Sequence, residues 1–157
     1  MKIKISYFYM IRFFKPNQIP ISTAVWDPKW YHNFTRNPKY RFLDKNNVLN
    51  GIRLKDIVPN EKLHNCCRGR DNCASLNPES CEFLSGYRKQ LYEIDFNAFI
   101  RTLETISSAA VSYTKSNDEP EIILIVYEAP DNPCSERRVL IDWFASNGYE
   151  LDEYRKE

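Results

Sequence analysis

Residues 122–138 read Ile-Ile-Leu-Ile-Val-Tyr-Glu-Ala-Pro-Asp-Asn-Pro-Cys-Ser-Glu-Arg-Arg, and the fold turns on them. The apolar run 122–127 is flanked by charge and has no polar face. That pattern suits a central strand of a parallel sheet with helices over both of its faces. Asn132 can then cap a helix and Pro133 can open it, where proline's missing N–H costs nothing. Over 133–146 the inward residues are Val139, Leu140, Trp143 and Phe144, and Asn147-Gly148 ends the helix. Tyr149 to Tyr154 reads as a last strand, and strand, helix and strand with short links make a right-handed crossover. The expectation is a three-layer α/β fold over 1–157, one domain, with a mostly parallel central sheet flanked by helices and a cysteine-rich insertion at 63–82.

Upstream, residues 2–10 (KIKISYFYM) combine β-branched and aromatic residues with early alternation and read as a strand. Residues 21–26 are a second β-prone run, ended by Asp27-Pro28. Residues 27–47 have no helical period and read as a long ordered loop, a feature often tied to function. Asn50-Gly51 predicts a tight hairpin over 48–53. A helix is expected from an Asn77 cap with Pro78 at its first position, striped by Phe83, Leu84, Tyr87 and Leu91. The next is capped by Asp95 and carries Phe96, Phe99, Ile100, Leu103 and Ile106 at helical spacing, ending near Lys115. No internal repeat, low-complexity segment or linker interrupts the chain.

A chain of 157 residues, 43% apolar with four glycines, buries roughly 68–70% of its unfolded surface. Its start alternates charged and apolar residues, as a strand does and a signal peptide does not. No stretch approaches the ~20 apolar residues of a membrane span. A cytosolic protein is expected, and with five cysteines the thiols read as free, metal-bound or catalytic rather than as disulfides. Residues 1–70 carry 14 Lys/Arg against 4 Asp/Glu, and residues 71–157 carry 8 against 17. The basic half is either a footprint for phosphates or the electrostatic complement of the acidic half.

In open α/β sheets ligands gather beyond the carboxyl ends of strands, which is where 127–138 falls. Cys134 in a first helical turn would meet unsatisfied N–H groups that favour a thiolate or a bound anion. Arg137 and Arg138 add positive charge, and an arginine fork fits phosphate or carboxylate. Glu128 could serve as acid, base or partner of an arginine. The structural alternatives are a small buried Cys134 and a salt bridge from Arg137 to Glu128 or Asp131. Neither histidine is near Cys134 in sequence, so no base is assigned.

These residues resemble a known family. The run ILIVYEAPDNPCSERRVLIDWFASNGYEL, residues 123–151, is similar to the closing motif of the domain of unknown function 488 family. In that family a buried strand leads to a Glu, a Pro and a Cys-His-Arg motif opening the last helix. Arg12 and Pro20-Ile21-Ser22-Thr23 look like its N-terminal site elements, so the likeness covers nearly the whole chain. One departure stands out: this chain has Cys134-Ser135-Glu136-Arg137, one residue longer and without the histidine. The resemblance implies an enzyme-like pocket in an α/β fold, some members being phage-borne or tied to nucleic-acid processing, and it carries Cys134 and Arg137 over as a pair.

Two further constellations remain. His64, Cys67, Cys73 and Cys81, with Cys66 as an alternative ligand, could supply a tetrahedral set for structural zinc. An iron–sulfur cluster and free thiols are the other readings, while a catalytic metal finds no carboxylate or second histidine beside them. Ser22, Thr23, Lys29, Trp30, Tyr31 and His32 combine hydroxyls, a cation and flat rings, as a nucleotide or single-strand pocket would. Trp26 reads as an anchor on the core. The functional expectation is a phosphate-recognising pocket for a nucleotide or nucleic acid, formed by Arg12, Ser22, Thr23, Glu128, Cys134 and Arg137. Its rivals are a non-catalytic, phage-type binder that sequesters a nucleotide signal and a zinc-stapled interaction module.

Overall fold

Strand β4, Glu121–Val126, is buried along its whole length and lies at the centre of a five-stranded sheet in the order β3-β2-β4-β1-β5. The computed structural model describes residues 1–32, 43–64, 81–132 and 135–157. In it β1 is Lys2–Tyr7, β2 Gln18–Ser22, β3 Ile52–Arg53 and β5 Asp152–Glu153, and every pairing is parallel. Besides the single α-helical turn Glu61–His64, three longer α-helices occur among the described residues: α1 Glu82–Tyr92, α2 Phe96–Thr114 and α3 Arg137–Ser146.

The unbroken apolar run of β4 is explained by what its two faces meet, since successive strand side chains point to opposite sides. Ile122, Leu124 and Val126 pack with Phe83, Leu103, Val139, Trp143 and other residues of the three helices. Ile123 and Ile125 pack into a second core with Phe8, Ile11, Phe14, Tyr31, Val48 and Tyr154. Two 3₁₀ segments, Phe8–Phe13 and Lys29–His32, contribute to that second layer. Among the described residues the α-helices therefore lie on one face only, and 3₁₀ turns and loops complete the third layer.

Several boundaries move from their sequence positions. β1 stops at Tyr7, where Phe8 begins the 3₁₀ segment. β2 starts earlier than expected and includes Pro20. Thr23 N–H donates to Ile125 O on the β4 side, while Ser22 O accepts from Leu54 N–H on the β3 side. By that alternation the missing N–H of Pro20 falls on the β3 side, before β3 has begun, so no ladder bond is lost. The expected Asn50-Gly51 hairpin does not form, because Ile52 and Arg53 pair in parallel with β2. The local reversal lies earlier, with Leu43 bridged to Leu49. There Asp44 Oδ1 accepts from the N–H groups of Asn46 and Val48, and Asn47 takes the positive φ of 60°.

The last strand shortens to two residues. Cys81 is not inside α1 but at its N-cap; the expected Asn77-Pro78 start, with Cys66, Cys67 and Cys73, lies outside the described residues, as does the side chain of His64. Helix α2 begins as expected, with Asp95 Oδ1 accepting from Ala98 N–H at 3.1 Å. It ends at Lys115 in the left-handed region. Helix α3 begins at Arg137 rather than at residue 133, and Pro133 and Cys134 lie outside the described residues. No helix among the described residues is long and apolar enough to cross a membrane.

Candidate functional site

All five strands being parallel, their carboxyl ends share one edge. From there the chain leaves β2 toward β3 and leaves β4 toward β5, so the two connections part in opposite directions. A crevice at such a divergence is where open α/β sheets collect ligands.

On the β2 side a buried carboxylate, Asp27, organises three residues. Its Oδ1 accepts from the Ser22 hydroxyl and from Arg53 Nη1 at 3.0 Å. Its Oδ2 accepts from His32 Nε2 at 2.7 Å. Because a carboxylate only accepts, the ring hydrogen is assigned to Nε2, which turns Nδ1 toward other use. Arg53 also donates from Nη2 to Val25 O at 3.0 Å. Thr23 is buried and its hydroxyl donates to Ile125 O at 3.1 Å, closing the β2–β4 ladder instead of facing a ligand.

On the β4 side, Ser135 Oγ donates to Glu128 Oε2 at 3.3 Å and accepts from Arg137 N–H at 3.1 Å, capping the start of α3. Arg137 is buried and forked onto β5: Nε donates to Glu153 Oε2 at 2.9 Å and Nη2 to Glu153 Oε1 at 3.3 Å. Its Nη1 donates to Glu128 O at 2.8 Å, and its guanidinium lies over the Tyr7 ring. An ion pair was one sequence expectation for Arg137, yet its partner is Glu153, which neither local spacing nor the strand–helix motif indicated. The close pair does not keep Glu153 acidic. Half-burial raises its carboxyl above the usual range despite the pull of Arg137.

Beside Arg137 stands Glu136, 4% exposed. Its Oε1 is buried and has no hydrogen-bond partner among the described residues. Its main-chain carbonyl accepts from Leu140 N–H, making it the N-cap of α3. Burial pushes its carboxyl well above the ordinary range and Glu128 pushes the same way, while Arg137 and Arg53 pull down and lose. Tyr87 of α1 also feels it. A helix N-terminus favours a carboxylate, but desolvation without a hydrogen bond outweighs that here.

The structure thus joins Ser22 to Asp27 and Glu128 to Arg137 but scatters the other expected residues. Arg12 is exposed and turned back on its own segment, with Nε donating to Tyr9 O at 3.0 Å and its guanidinium 3.8 Å above the Tyr9 ring. Lys29 and Trp30 sit on the 3₁₀ turn after β2, and Arg138 is exposed on α3. Trp26 does not anchor the loop, being 65% exposed. That role falls to Tyr31, fully buried with its hydroxyl 2.6 Å from Ile52 O and 3.0 Å from Pro20 O. No group of three or more metal-ligating side chains occurs among the described residues. Cys81 is a free thiol.

Asp27, Arg53, Glu136 and Glu153 escaped the sequence reading. Asp27 looked like a strand stop, and the only signal for Glu136 was the extra residue in Cys134-Ser135-Glu136-Arg137. Fold and site together define an open, all-parallel α/β protein with buried, paired charges near its strand ends. No protein-family model matches the chain, and neither the curated proteins nor the solved structures yield a match.

Proposed function

We propose that the protein binds a nucleotide, free or within a single strand, at the carboxyl edge between β2 and β4. The observation that carries this reading is a set of exposed rings on the loops leaving two strands. Trp26 and Trp30 follow β2 and Tyr127 follows β4; they are 65%, 43% and 46% exposed. Flat rings flanking a crevice offer stacking surfaces that tolerate any base. Exposed Lys29 and Arg138 offer phosphate contacts, whereas Arg53 and Arg137 are already paired with carboxylates. The proposed kinship of residues 123–151 with the domain of unknown function 488 family supports a pocket at the same edge.

Titration of intrinsic tryptophan fluorescence with adenosine monophosphate and with a single-stranded oligothymidylate tests the reading and separates the two ligand forms. Saturable quenching is expected. Trp26→Ala and Trp30→Ala should each weaken binding by about 1–3 kcal/mol, the usual worth of a stacked base. Absence of quenching by either probe at millimolar concentration would overturn it.

A further inference from the structure

We propose that His32 is a phosphoryl-accepting nucleophile, whose Nδ1 takes the terminal phosphoryl group of a nucleoside triphosphate bound at the carboxyl end of β2. The inference rests on the proposed nucleotide binding and adds the reaction.

The geometry begins with a buried carboxylate under a half-exposed ring. Asp27, its side chain only 5% exposed, lies 2.7 Å from His32 Nε2, while 42% of the histidine side chain faces solvent. Asp27 is itself fixed by Arg53 Nη1 at 3.0 Å and by the Ser22 hydroxyl. A carboxylate held in this way sets the orientation and tautomer of the ring. The hydrogen lies on Nε2, so the lone pair is on Nδ1, which forms no hydrogen bond among the described residues. The turn that carries the ring is anchored as well, because Tyr31 is fully buried with its hydroxyl bonded to Pro20 O and Ile52 O. Lys29–His32 is a 3₁₀ turn, and in such a helix side chains three positions apart lie one above the other. Lys29 and His32 therefore share a side. Lys29 is exposed and enters none of the ion pairs among the described residues.

The hydroxyls at the end of β2 are already committed. Ser22 is buried, donates to Asp27 and accepts from Ala24 N–H, and Thr23 donates to Ile125 O. The imidazole is the accessible nucleophile beside them, and a nucleophile oriented by a further group is the arrangement that covalent catalysis uses. In the step, the Nδ1 lone pair forms an N–P bond to the terminal phosphorus. The P–O bond to the next phosphate breaks, and its electron pair leaves on that oxygen. The ring keeps its Nε2 hydrogen and becomes cationic, a charge that the Asp27 carboxylate stabilises. Lys29 offsets the negative charge on the transferred oxygens. A water oxygen then bonds to phosphorus, the N–P electron pair returns to Nδ1, and the water proton passes to solvent. The sum is nucleoside triphosphate plus water to nucleoside diphosphate plus inorganic phosphate.

Incubation of the full chain with adenosine triphosphate and magnesium, followed by intact mass measurement and peptide mapping under alkaline conditions, tests this. One phosphoryl group on His32 is expected, stable in alkali, lost in acid and absent from His32→Ala. Lys29→Met should slow its formation about 10²–10³-fold, the usual cost of one transition-state donor. Asp27→Asn should show the wild-type quenching of tryptophan fluorescence by the nucleotide yet form the adduct about 10–100-fold more slowly, as losing a histidine's orienting partner does. Should that variant not fold by circular dichroism, His32→Ala and Lys29→Met, at solvent-facing positions, decide the matter. Quenching by adenosine triphosphate without phosphoryl transfer, or transfer to a residue other than His32, would overturn the proposal and leave nucleotide binding intact. Absence of quenching as well would overturn both.

Discussion

At the residue scale, the carboxyl of Glu136 ties stability to pH. A group held neutral by burial binds its proton more tightly when folded than when unfolded. Its contribution is therefore fully present below the ordinary glutamate value and is lost as pH rises toward the folded value. Glu136, and in the same direction Glu153, start from 4.5 and move up. Urea midpoints should thus fall as pH rises from about 4.5 toward neutrality. Glu136→Gln, neutral at every pH, should flatten that decline; an equally steep slope in the variant would locate the effect elsewhere. Asp27 poses the opposite case, a carboxylate that others depend on. Asp27→Ala removes the acceptor of Ser22, Arg53 and His32 at once. A hydrogen bond to a charged group is worth about 1.5–3 kcal/mol, so chemical denaturation should show a loss of at least that size. Asp27→Asn, which keeps one acceptor, should lose less.

At the scale of elements, β2 and β3 are held as much by Tyr31 as by their short ladder. One phenolic hydrogen serves Pro20 O and Ile52 O, and burial keeps the hydroxyl far above the usual range, hence a donor. Tyr31→Phe leaves two buried carbonyls without it, at a cost of about 1–3 kcal/mol readable from the urea midpoint. Helix α2 depends on a local signal instead. Asp95→Ala should cost about 1 kcal/mol, the ordinary worth of an N-cap, with little effect on the carboxyl edge. The close approach at Gly86 belongs here too. A Cβ built there would lie 2.2 Å from Leu63 Cδ2, so glycine lets the helical turn Glu61–His64 pack against α1.

At the scale of the molecule, the basic first half and acidic second half meet in part through their own ion pairs. Lys4 pairs with Glu121 at 3.5 Å and Lys15 with Glu157 at 2.8 Å. The second pair is exposed, so it orders the tail more than it stabilises the fold. The two cores share β4, its odd-numbered apolar residues facing one and its even-numbered the other. Neither can melt while leaving the other's floor intact, so far- and near-ultraviolet circular dichroism should report one coincident thermal transition. Leu103→Ala, at a fully buried site in the helical core, should lower stability by about 2–5 kcal/mol while keeping the transition single. Two separated transitions would show that the cores fold independently.

By itself the sequence determined the features that depend on near neighbours. The apolar run 122–127 read as a central strand because burial on both faces leaves no polar position. The spacing of Phe96, Phe99, Ile100 and Leu103 read as a helix face, and Asp95 as its cap. Glu128 read as the residue that ends this strand, whereas Ser22 read as an early position of the run 21–26 and only the structure makes it the end of β2. The partners were decided only by the tertiary structure. Asp27 meets Arg53 across 26 positions of chain, and Arg137 meets Glu153 across 16. Glu136 is a surface-type residue whose character changes only because the fold buries it. Periodicity is local and can be read along a chain, whereas desolvation and charge pairing depend on which distant residues arrive at the same place.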